Sequence, residues 1–259
     1  MLERSGASRV GGWAIRRSPF LRLAIWKSPF LVPCLLRALA HGTSLSRGLR
    51  RPPLFNPYAD IEQWGGCLPH WQQKGAVYFV TFRLADSVPA ELRDQWEGER
   101  EAWLRWHPEP WTAAVEREYH ERFSGAIERW LDAGHGECVL RRPECAAIVA
   151  EALRHFDGDR VALLAFVVMP NHVHVLCVLN GAHTLAKMLQ SWKRYSANAI
   201  NTLLGREGTL WQKDYFDRLV RDARHLANCV RYIRRNPVKA RLRAGEFVLW
   251  ESDLAKAIE

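Results

Sequence analysis

Apolar positions recur along the chain with two periods, and each period marks a kind of element. Val77 to Leu84, Val161 to Val168 and Val173 to Leu179 are short runs rich in β-branched residues, which predict buried strands. Leu185 to Leu204 is amphipathic with helical spacing, and from Asp222 to Arg235 the residues Leu226, Val230 and Ile233 keep the same period. Pro89 introduces a charged, Trp-rich helical stretch that runs to Trp106, where His107-Pro108-Glu109-Pro110 breaks it. Thr112 to Leu131 fits a second helix, and Pro143 starts another that runs through His155. Thr209 to Val220 predicts a strand or an extended loop. The order strand, helix, strand, strand, helix, strand predicts an α+β fold of the ferredoxin-like pattern, an antiparallel sheet with helices on one face. Residues 86–131 are then a helical insertion after the first strand. Pro52-Pro53 and Asn56-Pro57 mark a linker, dividing the chain into an extension, 1–53, and a folded domain, 54–259.

Two segments carry candidate chemistry. In Met169-Pro170-Asn171-His172-Val173-His174 the two histidines sit at i and i+2 of a strand. They project from one face, with Val173 turned to the other. Two adjacent imidazoles on a rigid strand make half of a divalent-metal site, and the competing reading is a pair of packed or solvated histidines. The second segment is Tyr232-Ile233-Arg234-Arg235-Asn236-Pro237. Pro237 disfavours helical geometry at Asn236, which places Tyr232 in the last turn or so and Asn236 near the helix end. Residues i and i+4 share a helix face, so Tyr232 and Asn236 can face one site, a hydroxyl beside a neutral oxygen ligand. The competing reading of Tyr232 is an amphipathic packing residue.

Charge sharpens this picture. The net charge of +9 is uneven: residues 1–53 hold ten Lys/Arg and one acid, and residues 187–243 hold fourteen basic and four acidic residues. A basic half beside an acidic stretch, Asp86 to Asp159, implies a face for a polyanion. Trp211, Tyr215 and Phe216 alternate with Lys213 and Arg218, a pattern in which rings stack on unpaired bases while cations hold phosphates. Packing of Trp211 and Phe216 against the domain explains the rings equally well. Lys193 and Arg194 beside Tyr195, and Arg234, Arg235 and Lys239 beside the tyrosine, extend the basic set, with a solvated helix face as the bland alternative. The six cysteines are scattered without a C-x-x-C pair, which disfavours a zinc knuckle and fits a reducing cytosol. The apolar stretch Pro29 to Leu36 is too short to span a bilayer. Its prolines and Arg37 speak against a secretory signal, so the extension reads as a mobile basic arm or as sequence upstream of the true start.

Taken together, five segments resemble the REP-associated tyrosine transposases, of the single-tyrosine HUH (IS200-like) family. They are Gly75 to Arg83, Val168 to His174, Ser191 to Ser196, Leu210 to Arg218 and Tyr232 to Ala240, in the family's order, between about Trp64 and Leu242. The resemblance implies that His172, His174 and Asn236 hold one Mg²⁺ or Mn²⁺, and that Tyr232 is the nucleophile. It implies cleavage and rejoining of single-stranded DNA next to palindromic hairpins through a 5′-phosphotyrosine, by a monomer or homodimer in the bacterial cytoplasm, associated with the nucleoid and not with a membrane. Some relatives carry Gln where Asn236 stands. Tyr195 and Tyr215 are rival nucleophiles. The alternatives are a domesticated, weakly catalytic hairpin-DNA-binding protein and a metal hydrolase that activates water.

Overall fold

The computed structural model describes residues 52, 54–56, 59, 62–64, 70–108, 111–181 and 183–259. Apart from Pro52, the expected basic extension lies outside the described residues.

A short antiparallel hairpin, β1 (Glu62–Trp64) and β2 (His70–Gln72), precedes the main sheet. Then follow β3 (Val77–Arg83) and three helices, α1 (Ala90–Trp106), α2 (Ala113–Tyr119) and α3 (Gly125–Asp132), the last two joined by a π turn, His120–Ser124. The chain continues through α4 (Pro143–Arg154), β4 (Val161–Val168), β5 (His172–Leu179) and α5 (Leu185–Leu204). It ends with β6 (Phe216–Leu219), α6 (Ala223–Lys239), β7 (Val248–Glu251) and α7 (Asp253–Lys256).

The main sheet is antiparallel throughout, with strand order β6-β3-β5-β4-β7. This is an α+β fold, and the helical insertion falls after β3 as the proline pattern implies. Alternation along the strands separates two cores. Tyr78, Val80 and Phe82 of β3, with Val173, Val175 and Cys177 of β5, pack under α4 and α5. Val77 and Phe79, with Leu176 and Val178, face the other way, under Leu226, Val230 and Ile233 of α6 and Leu254 of α7. The β4–β5 register shifts between Leu163 and Ala165, and as a result Leu164 and Ala165 both face the α6 core.

Helices therefore cover both faces, where the sequence pattern put them on one. The histidine face is roofed by α6, whose apolar stripe demands burial as strongly as that of α5. Asp222 caps α6, its Oδ1 accepting from His225 N at 2.7 Å. The helix continues through Pro237 to Lys239 rather than ending near Asn236. Pro237 lies in the last turn, where the Leu242 N–H bonds the Pro237 carbonyl at 2.9 Å and closes the end. The C-terminal strand β7 and helix α7 carry too few residues to show a period, and the sequence reading assigned them nothing.

Candidate active site

His172 and His174 stand at the start of β5, paired across the ladder with Arg83 and Thr81 of β3. A tight turn at Pro170–Asn171, closed by Met169 N–H to His172 O at 2.8 Å, places both at the rim of the sheet beneath α6. His172, His174 and Asn236 are each at most 2% exposed, at the rim of a face whose core is apolar. An apolar side chain of similar size contributes about 1.5–3 kcal/mol when buried, so three polar groups here forfeit stability that packing alone would favour.

Their polar atoms converge. The two Nε2 atoms face each other at 3.1 Å, while Nδ1 of His172 meets Asn171 Oδ1 at 2.7 Å and Nδ1 of His174 meets Thr81 Oγ1 at 2.7 Å. The Asn236 amide nitrogen lies 3.2 Å from His174 Nε2, and its oxygen is buried without a partner. Burial, with Lys239 nearby, holds His172 down at about 3, and burial, His172, Arg218 and Lys239 hold His174 well below its ordinary range. Both rings are neutral at neutral pH, the form that ligates a metal. Two facing ring nitrogens and an orphaned amide oxygen fit a divalent cation. Half a turn of the Asn236 amide brings its oxygen to the histidines, and 3.1 Å is close to the spacing of two nitrogens held about 90° apart on a metal with bonds of about 2.1 Å. Among the described residues no cluster of three His, Cys, Asp or Glu side chains forms a metal site, so an amide donor is needed to complete this one.

Tyr232 lies one turn before Asn236 on α6. Its ring meets His174 edge-on at 5.1 Å and Phe79 at 5.7 Å, and Phe79 stacks on His174 at 5.5 Å. Burial, then Glu128 and Asp132 of α3, push the phenol above its usual range, while a hydrogen bond from Asn236 and the charge of Arg218 pull it back. Arg218 is exposed on β6, its guanidinium carbon 5.7 Å from the Phe79 ring centre. Lys239 closes the other side, paired with Asp132 at 2.6 Å. Thr81, Asn171, Glu128 and Asp132 were not singled out from the sequence. Only Asn171, wedged between Pro170 and His172, carried a local hint.

Residues 141–236 match the family model described as "Transposase IS200 like", and this span includes both histidines, Tyr232 and Asn236. Two solved structures are similar to the chain. One is a REP-associated tyrosine transposase bound to a REP hairpin, at 16% identity over 64% of this chain and 69% of that one, with a TM-score of 0.36. The other is a protein of Deinococcus radiodurans R1 described as a candidate transposase, at 14% identity over 71% of this chain and 97% of that one, with a TM-score of 0.29. No curated protein matches the chain.

The structure does not gather all the residues that the sequence nominated for DNA. Lys193 is a structural clamp: its ammonium donates to the carbonyls of Gln212, Lys213 and Asp214 at 2.9, 3.1 and 3.3 Å. Burial lowers its pKa to about 8, with Asp214 opposing the shift. Trp211 is buried at 5% exposure, edge-on to Phe82 at 4.9 Å with its Nε1–H on Ser196 Oγ at 3.0 Å, which leaves no open ring face for a base. Tyr215 packs partly buried against the same core, and burial lifts its phenol to about 12. All three belong to the α5 side of the sheet, away from the histidines, as does the exposed rival Tyr195 on α5. Arg234 is tied to Glu251 at 2.8 Å and to the carbonyls of Ala255 and Ile258. Arg194, Lys213, Arg218, Arg235 and Lys239 remain exposed. Among the described residues no helix is long and apolar enough to cross a membrane.

Proposed function

We propose that this transposase domain cleaves and rejoins single-stranded DNA next to palindromic hairpins, with Tyr232 as nucleophile and His172, His174 and Asn236 holding one Mg²⁺ or Mn²⁺. The observation that supports this reading is the convergence of the four side chains on one rim of the sheet within a single copy of the chain. Two imidazoles suit Mn²⁺ better than Mg²⁺, which prefers oxygen. The bound cation supplies Lewis-acid polarisation and orientation of the scissile phosphate. Tyr232 Oη attacks phosphorus, a tyrosyl P–O bond forms, and the bond to the 3′-oxygen breaks. The phenol proton ends on that oxygen, leaving a 5′-phosphotyrosine and a free 3′-OH. Covalent capture keeps a phosphodiester in hand for rejoining to another strand. The edge contacts to His174 and Phe79 hold the Tyr232 ring, and Arg218 favours its phenolate. Arg218 and Lys239 are the exposed cations near the site and offer contacts to the backbone of the hairpin.

A second reading, a hairpin-DNA-binding protein that cuts weakly, draws on the raised pKa of the half-buried Tyr232 phenol. Trapping separates the two. Wild type incubated with Mn²⁺ and a single-stranded palindromic oligonucleotide is expected to give a protein–DNA adduct that survives denaturing electrophoresis. Tyr232→Phe keeps the ring packing and DNA binding and gives no adduct. An undiminished adduct in the mutant removes Tyr232 from the mechanism, and cleavage without any adduct points to hydrolysis.

A further inference from the structure

We propose that the helical insertion is a working part of the metal site: acting through Asn171, it decides which ring nitrogen of His172 carries the hydrogen. The inference rests on the reading of His172 as a metal ligand and goes beyond it, because it assigns a role to residues outside the ligand set.

Asn171 is 1% exposed, and both ends of its amide are engaged. One end lies 3.2 Å from the carbonyl oxygen of Leu131 and 3.3 Å from that of His135. Carbonyls only accept, so this end is the NH₂ group, and the opposite end is the oxygen. That oxygen lies 2.7 Å from His172 Nδ1 and can only accept. The hydrogen of His172 must then sit on Nδ1, which leaves Nε2 bare and aimed at the point where His174 Nε2 also converges. On Nδ1 of His174 no such determinant acts, since the Thr81 hydroxyl there can donate or accept.

The two carbonyls come from the end of α3 and the turn that leaves the insertion. This exit turn is fastened to the insertion's entry: Glu137 N–H bonds Asp86 Oδ2 at 2.8 Å, just past the end of β3. At Gly136 φ is +85°, and a Cβ there would lie 2.6 Å from the Asp86 carbonyl oxygen, so the turn accepts only glycine. Asn171 is held on its main chain too, its carbonyl accepting from Leu84 N–H at 2.9 Å. A rigid path therefore runs from Asp86 through the exit turn to Asn171 and on to His172. Partners of this kind behind a ligating histidine set its tautomer, and their loss typically lowers metal affinity about 10–100-fold.

Nitrogen-15 NMR of the histidine-labelled, metal-free protein reads the tautomer directly, and calorimetry with Mn²⁺ reads the affinity. In wild type, His172 should carry its hydrogen on Nδ1. Asn171→Ala should mix or reverse the tautomer and weaken Mn²⁺ binding about 10–100-fold. Asn171→Asp keeps an acceptor for Nδ1 but sets an oxygen against the Leu131 and His135 carbonyls, so it should retain the tautomer and lower the melting temperature. Gly136→Ala, which touches neither histidine, should displace the exit turn and mix the tautomer. A hydrogen on Nε2 in wild type, or an Asn171→Ala protein that keeps the Nδ1 hydrogen with Mn²⁺ affinity within twofold, overturns the proposal. Should Asn171→Ala fail to fold, wild type and Gly136→Ala still decide. Absence of Mn²⁺ binding in a wild type with the expected tautomer would overturn the metal reading and leave the control of His172 by Asn171 standing.

Discussion

At the scale of single residues, the site is made of polar groups that pay for their burial. His172 shows the cost most plainly. Its folded pKa, about 3, lies below the ordinary value of 6.5, so acid protonates the unfolded chain before the folded one. The sign follows: stability is full above about pH 6.5 and falls as the pH drops from there toward 3. His174 shifts in the same direction for the same first cause, burial. The metal-free protein should therefore lose stability in urea titrations between pH 7 and pH 5, at up to about 1.4 kcal/mol per pH unit for each histidine. His172→Gln should flatten that slope, and an unchanged slope would mean the ring takes up a proton in the folded state. Trp211 illustrates the opposite case, an aromatic whose place in the core is complete. Trp211→Ala should cost about 3–5 kcal/mol of stability and weaken every DNA ligand alike, as thermal melts beside binding titrations would show.

Elements decide what each cation is for. Lys193 on α5 and Arg218 on β6 look equivalent in a basic sequence, yet the first spends its hydrogen bonds on three carbonyls of the 212–214 loop. Charge-assisted hydrogen bonds of this kind contribute about 1.5–3 kcal/mol, so Lys193→Met should lower stability by an amount of that order. It should leave the salt dependence of DNA binding unchanged. Arg218→Ala should do the reverse, preserving the melting temperature and reducing the slope of log K against log salt by about one. Equal salt slopes for the two mutants would show that the clamp opens to bind phosphate. The insertion is also read at this scale. Its helices bury Val88, Ile127 and Leu131 in a small core of their own, yet the charges of Glu128 and Asp132 act on the tyrosine, and Asp132 pairs with Lys239 at the end of α6.

For the whole molecule, the proposed nucleophile Tyr232 would act on one strand at a time, and the exposed cations Arg218 and Lys239 lie near the site. Binding should favour an imperfect hairpin of single-stranded DNA over fully paired DNA of the same sequence, and it should fall steeply with salt because phosphate contacts release counterions. Titrations of hairpin and duplex oligonucleotides at two salt concentrations check this, and equal affinity for both forms would remove hairpin recognition from the reading. What the sequence determined by itself is local. The period of two in His172-Val173-His174 put both rings on one face whatever the partner, the helix Leu185–Leu204 followed from its own apolar stripe, and Tyr232 and Asn236 shared a face through the helical repeat. What the tertiary structure decided is which surfaces meet. An apolar stripe states that a helix must be covered and does not name the face that covers it. For that reason α6 could be placed over the histidines, and the insertion beside Asn171, only once the packing was known. The same holds for the cations: Lys193 and Arg234 differ from Arg218 and Arg235 only in the carbonyls and carboxylates that distant segments bring to them, and no pattern along the chain encodes those distances.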